Sequence, residues 1–193
     1  MEWEIIKPDE QSVTTWSGGK TRELFLMPKT SSYKARNFRL RLSTATVTAD
    51  ESTFTQLPGY DRKLMVLTGQ VQLQHDNKSV IKLSALETDE FAGDSITTSQ
   101  GQCRDFNIMQ AQTAGFTTAF KGYTKMPHVF FESNDEDFFY AVKGNFSFEC
   151  ANYTNFFFLN QGSVLHLKRA SQRMICHTSK SHCCLIHVGL KKR

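Results

Sequence analysis

The sequence predicts an all-β fold, made of two related barrel-like or sandwich-like units in one chain, with few helices. Three observations support this prediction. The 193 residues include 16 Phe and four Pro, with many Thr and Ser, and this composition is typical of strands. Short runs of alternating apolar and polar residues recur between turn signals. The same order of strands and glycines then returns in the second half of the chain.

The first half begins its strand pattern at residues 38–47 (FRLRLSTATV). Apolar residues alternate there with Arg39, Arg41 and Ser43, which predicts a strand with one solvated face. The other predicted elements of this half are, in order, two strands that meet at Gly69 (64–73), a turn (75–78), a strand (80–83), a turn (91–94) and a strand (105–110).

The second half repeats this order at nearly constant spacing. The matching pairs are residues 138–149 with 63–74, Gly144 with Gly69, Gly162 with Gly93, and residues 184–188 with 106–110. We therefore predict a first unit at residues 1–115, which holds the candidate ligand pocket, and a second unit at residues 116–193. No linker rich in Pro, Gly or Ser separates them, so we expect them to pack as one body.

Composition argues against several classes of function. The net charge is only +4, and Lys191, Lys192 and Arg193 place part of the basic excess in a tail, so no nucleic-acid partner is expected. The five Cys form no CxxC pair, which argues against a disulfide framework and a structural zinc site. No apolar run is long enough to cross a bilayer, and the first residues do not resemble a signal peptide. We expect no membrane partner and a cytoplasmic location.

The order of strand, Gly, strand, turn, Gly-Asp and strand resembles the cupin type of small β-barrel. That resemblance implies a metal held by two His, a Glu seven residues before the first Gly, and a third His eleven residues after the second. Arg62 and Arg104 occupy the last two positions, and residues 54–58, where the two His would stand, contain none.

These replacements favour anion binding over metal binding. A guanidinium group repels a cation and offers a planar fork of donors to carboxylate or phosphate. We therefore expect no metal and no other cofactor. The open alternative is that Arg62 and Arg104 only pair with Asp61 and Asp105 at the barrel rim.

Five segments, met in order, resemble the HutD/Ves family. They are residues 16–23 (WSGGKTRE), residues 38–45 (FRLRLSTA), Phe54 with residues 57–62 (LPGYDR), residues 91–94 (FAGD) and residues 105–109 (DFNIM). The resemblance implies a two-cupin fold. For the family it implies a regulatory role in bacterial histidine utilisation, with binding of a small acid such as formylglutamate, or a link to stress. The sequence departs from the family pattern at Lys20 and Phe38, where Gly and Trp are common, and this leaves the ligand open.

The candidate binding residues lie in or beside these segments. Arg62 is expected to clamp an anion, with Arg22 or Arg104 assisting. Tyr60 shares the strand face of Arg62 and would orient the ligand. A carboxylate after the glycine turn, Glu23, and the two polar residues that flank Phe106 are further candidates. The full set is Arg22, Glu23, Tyr60, Arg62, Arg104, Asp105 and Asn107.

The leading hypothesis is a non-catalytic, metal-free protein that binds a small anionic, carboxylate-bearing metabolite, resembling formylglutamate. Its role would be regulatory, in histidine utilisation or the stress response. The alternative is a metal-independent isomerase or hydrolase of a small sugar or amino-acid derivative, with Tyr60 and Asp105 as acid and base. A third hypothesis is an interaction protein whose barrel is filled by its own side chains.

The second unit is predicted to be mainly scaffold. Its His residues have spacings that match neither cupin motif, which argues against a metal there. Its Phe-rich strands are expected to form a core, and an exposed share of those Phe side chains would build a homodimer face.

Overall fold

A computed structural model describes residues 2–124, 128–131, 134–150, 156–168, 174–178 and 182–193 of the chain. These residues form nineteen strands and one short 3-10 helix, Pro8–Glu10, so the predicted all-β fold with few helices is confirmed. No helix in this part of the chain has the length and apolar character needed to span a membrane. The strands are β1 Glu2–Ile6, β2 Val13–Trp16, β3 Gly19–Met27, β4 Leu40–Val47, β5 Glu51–Thr53, β6 Tyr60–Gly69, β7 Val71–His75, β8 Ile81–Leu83, β9 Thr88–Ala92, β10 Thr97–Gln100, β11 Cys103–Ala111, β12 Phe116–Thr124, β13 His128–Phe131, β14 Glu136–Lys143, β15 Phe146–Cys150, β16 Phe156–Leu159, β17 Val164–Lys168, β18 Met174–His177 and β19 Cys184–Lys192.

The strands separate into two compact units. The N-terminal sandwich is residues 11–114, and the C-terminal sandwich is residues 115–193 together with the first ten residues. The predicted assignment of residues 1–10 to the first unit is therefore wrong. Strand β1 pairs antiparallel with β17, from Glu2 opposite Lys168 to Ile6 opposite Val164. The backbone groups of β1 are satisfied by a strand far away in sequence, which local alternation does not reveal.

The two sandwiches share the topology of eight strands. The N-terminal sandwich has sheets ordered β2-β3-β4-β11-β6-β9 and β5-β10-β7-β8. The C-terminal sandwich has sheets ordered β12-β19-β14-β17-β1 and β13-β18-β15-β16. Strands β4, β11, β6 and β9 thus correspond to β12, β19, β14 and β17, and the second sheets match strand for strand. Gly69 ends β6 and Gly144 follows β14, with φ of 82° and 91°, which glycine adopts without strain. The predicted internal repeat is present.

The interior of the N-terminal sandwich changes character along its strands. At one end, a buried apolar cluster joins its two sheets, and each such side chain contributes about 1.5–3 kcal/mol when fully buried. Further along the inner faces of β4 and β11 the buried side chains become polar, with Arg41, Ser43 and Asn107. The apolar cluster thus holds the sheets together and leaves a polar end. The cluster consists of Val47, Leu64, Val66, Val71, Leu73, Leu83 and Cys103.

The interior of the C-terminal sandwich is packed with aromatic rings. Phe139 lies at the centre of its described core, with ring centroids 4.9 Å from Phe131 and 4.8 Å from Phe148. The prediction that the Phe-rich strands form a core is confirmed for these residues. On the edge strand β16, Phe156 and Phe158 point outward and are 58% and 71% exposed.

Candidate functional site

A cavity of about 400 Å³ opens at the polar end of the N-terminal sandwich. Strands β2, β3, β4, β5, β6 and β11 supply most of its walls, and residues that follow β2, β3 and β5 complete them. Its lining includes Trp16, Tyr33, Arg41, Phe54, Arg62, Asp105 and Asn107. Every one of these residues belongs to the N-terminal sandwich.

The sheet register sets the polar side chains of the cavity in rows. Met109 on β11 lies opposite Arg41 on β4 and opposite Arg62 on β6. Because neighbouring strands are about 4.8 Å apart, the Cα atoms of the two arginines are about 10 Å apart. Asn107 and Asp105 follow Met109 along the same face of β11. The two arginines therefore lie on either side of β11, and the polar side chains of Asn107 and Asp105 lie further along the same face of that strand.

Arg62 is a buried cation with weak internal partners. It is 6% exposed, and its Nη1 and Nη2 donate to Thr55 O at 3.4 Å and Asn107 Oδ1 at 3.5 Å. Its Nε has no hydrogen-bond partner among the described residues. The guanidinium carbon lies 4.8 Å from the ring centre of Phe54 and 5.2 Å from that of Phe91. Burial lowers the pKa of Arg62 to about 10, so the group is charged at neutral pH with donors unused.

Arg41 is a second buried arginine, and its charge is compensated. Its Nε donates to Glu23 Oε2 at 2.7 Å, and its Nη1 donates to Ser43 Oγ at 3.3 Å. The same Nη1 lies 3.7 Å from Met109 Sδ, and the guanidinium carbon lies 4.3 Å from the ring centre of Tyr33. Arg62, by contrast, makes no direct ion pair with any described residue of the cavity.

Asn107 links Asp105 to Arg62. Its Nδ2 donates to Asp105 Oδ1 at 2.6 Å, while its Oδ1 accepts from Arg62. The backbone N–H of Ala45 also donates to Asp105 Oδ1, at 3.1 Å. Burial raises the pKa of Asp105 from its ordinary 3.8 to about 6. Within the described part of the chain, no direct ion pair joins Asp105 to Arg62.

Tyr60 anchors the segment that forms one wall of the cavity. The segment between β3 and β4, residues 28–39, carries Tyr33 into the lining. The Tyr60 hydroxyl lies 2.7 Å from Arg36 O and 3.0 Å from Phe38 O, to which it donates. The rings of Tyr60 and Phe38 are 4.5 Å apart. Tyr60 therefore holds the segment in place and does not line the cavity, which corrects the prediction that it orients a ligand.

Gly18, in the turn between β2 and β3, provides space for Trp16. A Cβ atom at Gly18 would collide with the six-membered ring of the Trp16 indole. The indole Nε1 donates to Thr21 Oγ1 at 3.1 Å, and both residues line the cavity. Gly18 is thus required by the position of an aromatic wall.

The structure brings four of the seven predicted residues together. Arg62, Asp105 and Asn107 line the cavity, and Glu23 lies behind it in the ion pair with Arg41. Asn107, rather than Asp105, is the residue that contacts Arg62. Asp61 accepts from Gln112 at 3.0 Å, so the alternative of a rim pair between Arg62 and Asp61 is not formed.

Two further predicted residues, Arg22 and Arg104, lie away from the cavity. Arg22 alternates on β3 with Thr21, which lines the cavity, and so projects from the opposite face. Arg104 alternates with Asp105 in the same way, and its Nε donates to Thr44 Oγ1 at 3.4 Å on that opposite face. The expectation that either assists Arg62 is therefore wrong. The spacing of a residue from Gly69 or Gly93 indicates which strand it lies on, but it does not determine the face on which its side chain projects.

Sequence reasoning missed Arg41, Ser43, Tyr33 and Met109. The first two were predicted on a solvated strand face, but Arg41 is 7% exposed and Ser43 is buried. Alternation has the same period whether the polar face meets water or the sandwich interior. The sequence pattern therefore could not distinguish a solvated polar face from a buried one. The ion pair of Arg41 with Glu23 depends on the register of β3 against β4, which the sequence pattern does not specify.

The donors of the cavity do not fit the metal that the cupin resemblance implies. Two guanidinium groups and one carboxylate are a poor ligand set for iron, manganese or zinc. Over the described residues, no group of three or more His, Cys, Asp or Glu side chains is placed to hold a metal. In the C-terminal sandwich, His166 contacts Glu4 at 3.1 Å and Glu136 at 2.7 Å, and His187 contacts Asp137 at 2.7 Å.

A second concavity, of about 550 Å³, lies on the sheet formed by β5, β10, β7 and β8. Its described lining is mostly Ser, Thr and Gln, with one carboxylate, Glu51, and no cation. Such a surface does not suit an anion. The polar cavity between the sheets is therefore the candidate site.

Known structures resemble this fold over nearly the whole chain. A conserved protein of unknown function, PA5104 from Pseudomonas aeruginosa PAO1, is 20% identical with a TM-score of 0.84, and the alignment covers 100% of both chains. HutD from Pseudomonas fluorescens SBW25 is 20% identical with a TM-score of 0.75, again over 100% of both chains. A variant of Bacillus subtilis oxalate decarboxylase is 5% identical with a TM-score of 0.71, over 98% of this chain and 77% of its own.

At these identities the similarity shows the fold, which is cupin-like. A comparison with curated proteins finds no match. The family model of HutD matches residues 9–185, which is most of the chain and includes every residue of the cavity. The chain belongs to the HutD family.

Proposed function

We propose that the N-terminal sandwich binds a small carboxylate-bearing metabolite without transforming it. One observation carries the proposal: the buried guanidinium of Arg62 faces the cavity, and its Nε has no hydrogen-bond partner among the described residues. A buried charged donor is costly unless it is paired. A carboxylate of a ligand is the natural partner, since its two oxygens match the guanidinium fork.

The contacts of the two arginines support an anion at Arg62. Glu23 forms an ion pair with Arg41, whereas Arg62 forms none with a described residue, and its hydrogen bonds to Thr55 O and Asn107 Oδ1 are long. Phe54 and Phe91 shield it from water, which strengthens its attraction for an anion. Tyr33, whose hydroxyl bonds to no described residue, adds a further donor to the lining of the cavity.

The volume of the cavity and the family of the chain limit the choice of candidate ligands. A cavity of about 400 Å³ suits a small metabolite. Membership of the HutD family points to histidine utilisation, and formylglutamate is our first candidate ligand. In this proposal the protein is cytoplasmic, and binding has a regulatory role in that pathway or in the stress response.

An enzyme is the second candidate function, and Asp105 is the observation that favours it. A cavity-lining carboxyl with a pKa near neutrality is a possible general acid or base. The predicted partner, Tyr60, donates instead to the carbonyls of Arg36 and Phe38. A metal-independent isomerase or hydrolase would need another acid or base from the ligand or from water.

The binding proposal is tested by titrating N-formyl-L-glutamate and urocanate calorimetrically into the full chain and into Arg62→Ala. Because a hydrogen bond to a charged group contributes about 1.5–3 kcal/mol, we expect affinity to fall about 10-fold to 150-fold. Arg22→Ala is the matched control, since Arg22 projects away from the cavity, and it should bind as the wild type does. Equal affinity in Arg62→Ala and wild type would refute the proposal.

A homodimer stays a prediction. Phe156 and Phe158 supply exposed aromatic surface on the edge strand β16, and such surface on a monomer often marks an interface. Sedimentation of the full chain and of a Phe158→Ser variant would test it, and a monomeric wild type would contradict it. The absence of a nucleic-acid partner likewise stays a prediction.

A further inference from the structure

Asp105 turns one carboxyl oxygen toward the protein and the other toward the cavity. Oδ1 accepts two hydrogen bonds, from the backbone N–H of Ala45 at 3.1 Å and from Asn107 Nδ2 at 2.6 Å. Oδ2 accepts none from any described residue, and it is not among the buried atoms that lack a partner. Since Asp105 lines the cavity, Oδ2 is the oxygen that faces it.

This arrangement fixes where a proton on Asp105 would lie. The two N–H donors occupy Oδ1, so the proton has to sit on Oδ2. A protonated Asp105 therefore presents an O–H donor to the cavity. An ionised Asp105 presents a negative acceptor in the same place.

The surroundings of Asp105 balance these two states near neutral pH. Burial raises its pKa to about 6, while the charges of Arg62 on β6 and Arg104 on β11 oppose that rise. Cys103, on the same face of β11, has its pKa raised to about 12 by burial and by Asp105, and is neutral. Strands β2 and β5 bring only neutral side chains to the lining. The other titratable groups around the cavity are Arg41 on β4, its partner Glu23 on β3, and Tyr33 in the segment between β3 and β4.

The state of Asp105 decides the net charge that a ligand meets. With Asp105 ionised, its charge offsets that of Arg62, and the cavity is neutral because Arg41 and Glu23 also cancel. With Asp105 protonated, the cavity carries one positive charge, which matches a carboxylate. A carboxylate at Arg62 would in turn disfavour ionisation of Asp105, because like charges repel.

We propose, building on the function proposed above, that the cavity binds its carboxylate together with one proton from solvent. Asp105 keeps this proton on Oδ2, and the resulting O–H donates a hydrogen bond to an oxygen of the ligand. The ligand class is accordingly an anion that offers an oxygen acceptor at this position. An ammonium group there would require the ionised form of Asp105.

The test is a calorimetric titration of N-formyl-L-glutamate into the full-length wild type and Asp105→Asn at pH 5, 6, 7 and 8. Each titration at pH 7 is repeated in two buffers of different ionisation enthalpy, which reports proton uptake. In the wild type we expect proton uptake at pH 7 and a loss of affinity of up to about tenfold per pH unit above pH 6. In Asp105→Asn, whose amide nitrogen replaces Oδ2 as a permanent donor, affinity should be independent of pH and higher than wild type at pH 8.

The outcomes separate this inference from the binding proposal. Tight binding without proton uptake, and with the same pH profile in wild type and variant, overturns the proton coupling but leaves carboxylate binding in place. Lost binding in a folded Asp105→Asn overturns it too, because the ligand then needs the ionised carboxyl. If the wild type binds neither N-formyl-L-glutamate nor urocanate, both proposals fall. Asp94→Asn, at an exposed carboxyl, is the control and should keep the wild-type profile.

Discussion

Replacing Asp105 with Asn should change the pH dependence of stability in a defined way. The substitution keeps the size of the side chain, and the amide oxygen can still accept from Ala45 N and Asn107 Nδ2, as Oδ1 does now. The amide nitrogen then takes the place of Oδ2 at the cavity. The variant therefore removes a titrating charge while it preserves the internal hydrogen bonds.

The magnitude follows from the pKa of Asp105. Burial raises it from 3.8 to about 6 in the folded protein, and each pKa unit corresponds to about 1.4 kcal/mol. The folded state thus binds more protons than the unfolded state between about pH 4 and pH 6, so wild-type stability falls as pH rises through that window. The loss totals about 3 kcal/mol and persists at higher pH. Asp105→Asn does not undergo this loss.

Urea denaturation of wild type and Asp105→Asn at pH 4, 5, 6 and 7.5 measures the difference. Relative to the wild type, the free energy of unfolding of the variant should rise by about 2–3 kcal/mol between pH 4 and pH 7.5. Asp94→Asn should stay within about 0.5 kcal/mol of the wild type at every pH, since the site is exposed. A constant difference between Asp105→Asn and wild type over the whole range would refute the reasoning.

Three further substitutions, one of them with a matched control, test other parts of the structure. Tyr60→Phe removes the hydroxyl that holds the segment after β3 and should lower the free energy of unfolding in urea by about 1–2 kcal/mol. Tyr33→Phe, which removes a hydroxyl without a described partner, should not; an equal loss in both would contradict the anchoring role. Gly18→Ala should displace the Trp16 indole, shift tryptophan fluorescence and weaken carboxylate binding, and an unchanged spectrum would contradict this. Phe148→Leu in the C-terminal core should cost about 1 kcal/mol of stability yet leave the calorimetric affinity unchanged. A weaker affinity would contradict the assignment of binding to the N-terminal sandwich.

The strands of the N-terminal sandwich were largely predictable because their signals are local. Alternating residues and the turn at Gly69 define β6 and β7, and the same pattern around Gly144 defines β14 and β15. The membership of β1 was not predictable in this way. Its partner β17 lies at the other end of the chain, and pairing across such a distance leaves no mark in a short window of sequence.

The candidate site was predictable only where side-chain direction follows from alternation along one strand. Asp105 and Asn107 share a face of β11, as expected, and both reach the cavity. Arg41 could not be placed, because its burial depends on which sheet face the second sheet covers. Tyr60 does lie on the face of Arg62, but its distance along the strand brings it to the carbonyls of Arg36 and Phe38 instead of the cavity.

The pairing of β1 with β17 has a consequence for the order of folding during synthesis. All residues of the N-terminal sandwich have been made once Ala114 has left the ribosome, whereas Glu4 lies 162 residues before its partner His166. A folded unit of about 100 residues has a radius of gyration of about 13 Å, against about 30 Å for the unfolded chain. Folding of residues 11–114 would therefore shorten the search that β1 makes for β17. We therefore expect β1, although it is synthesised before the whole N-terminal sandwich, to enter its sheet after that sandwich has folded.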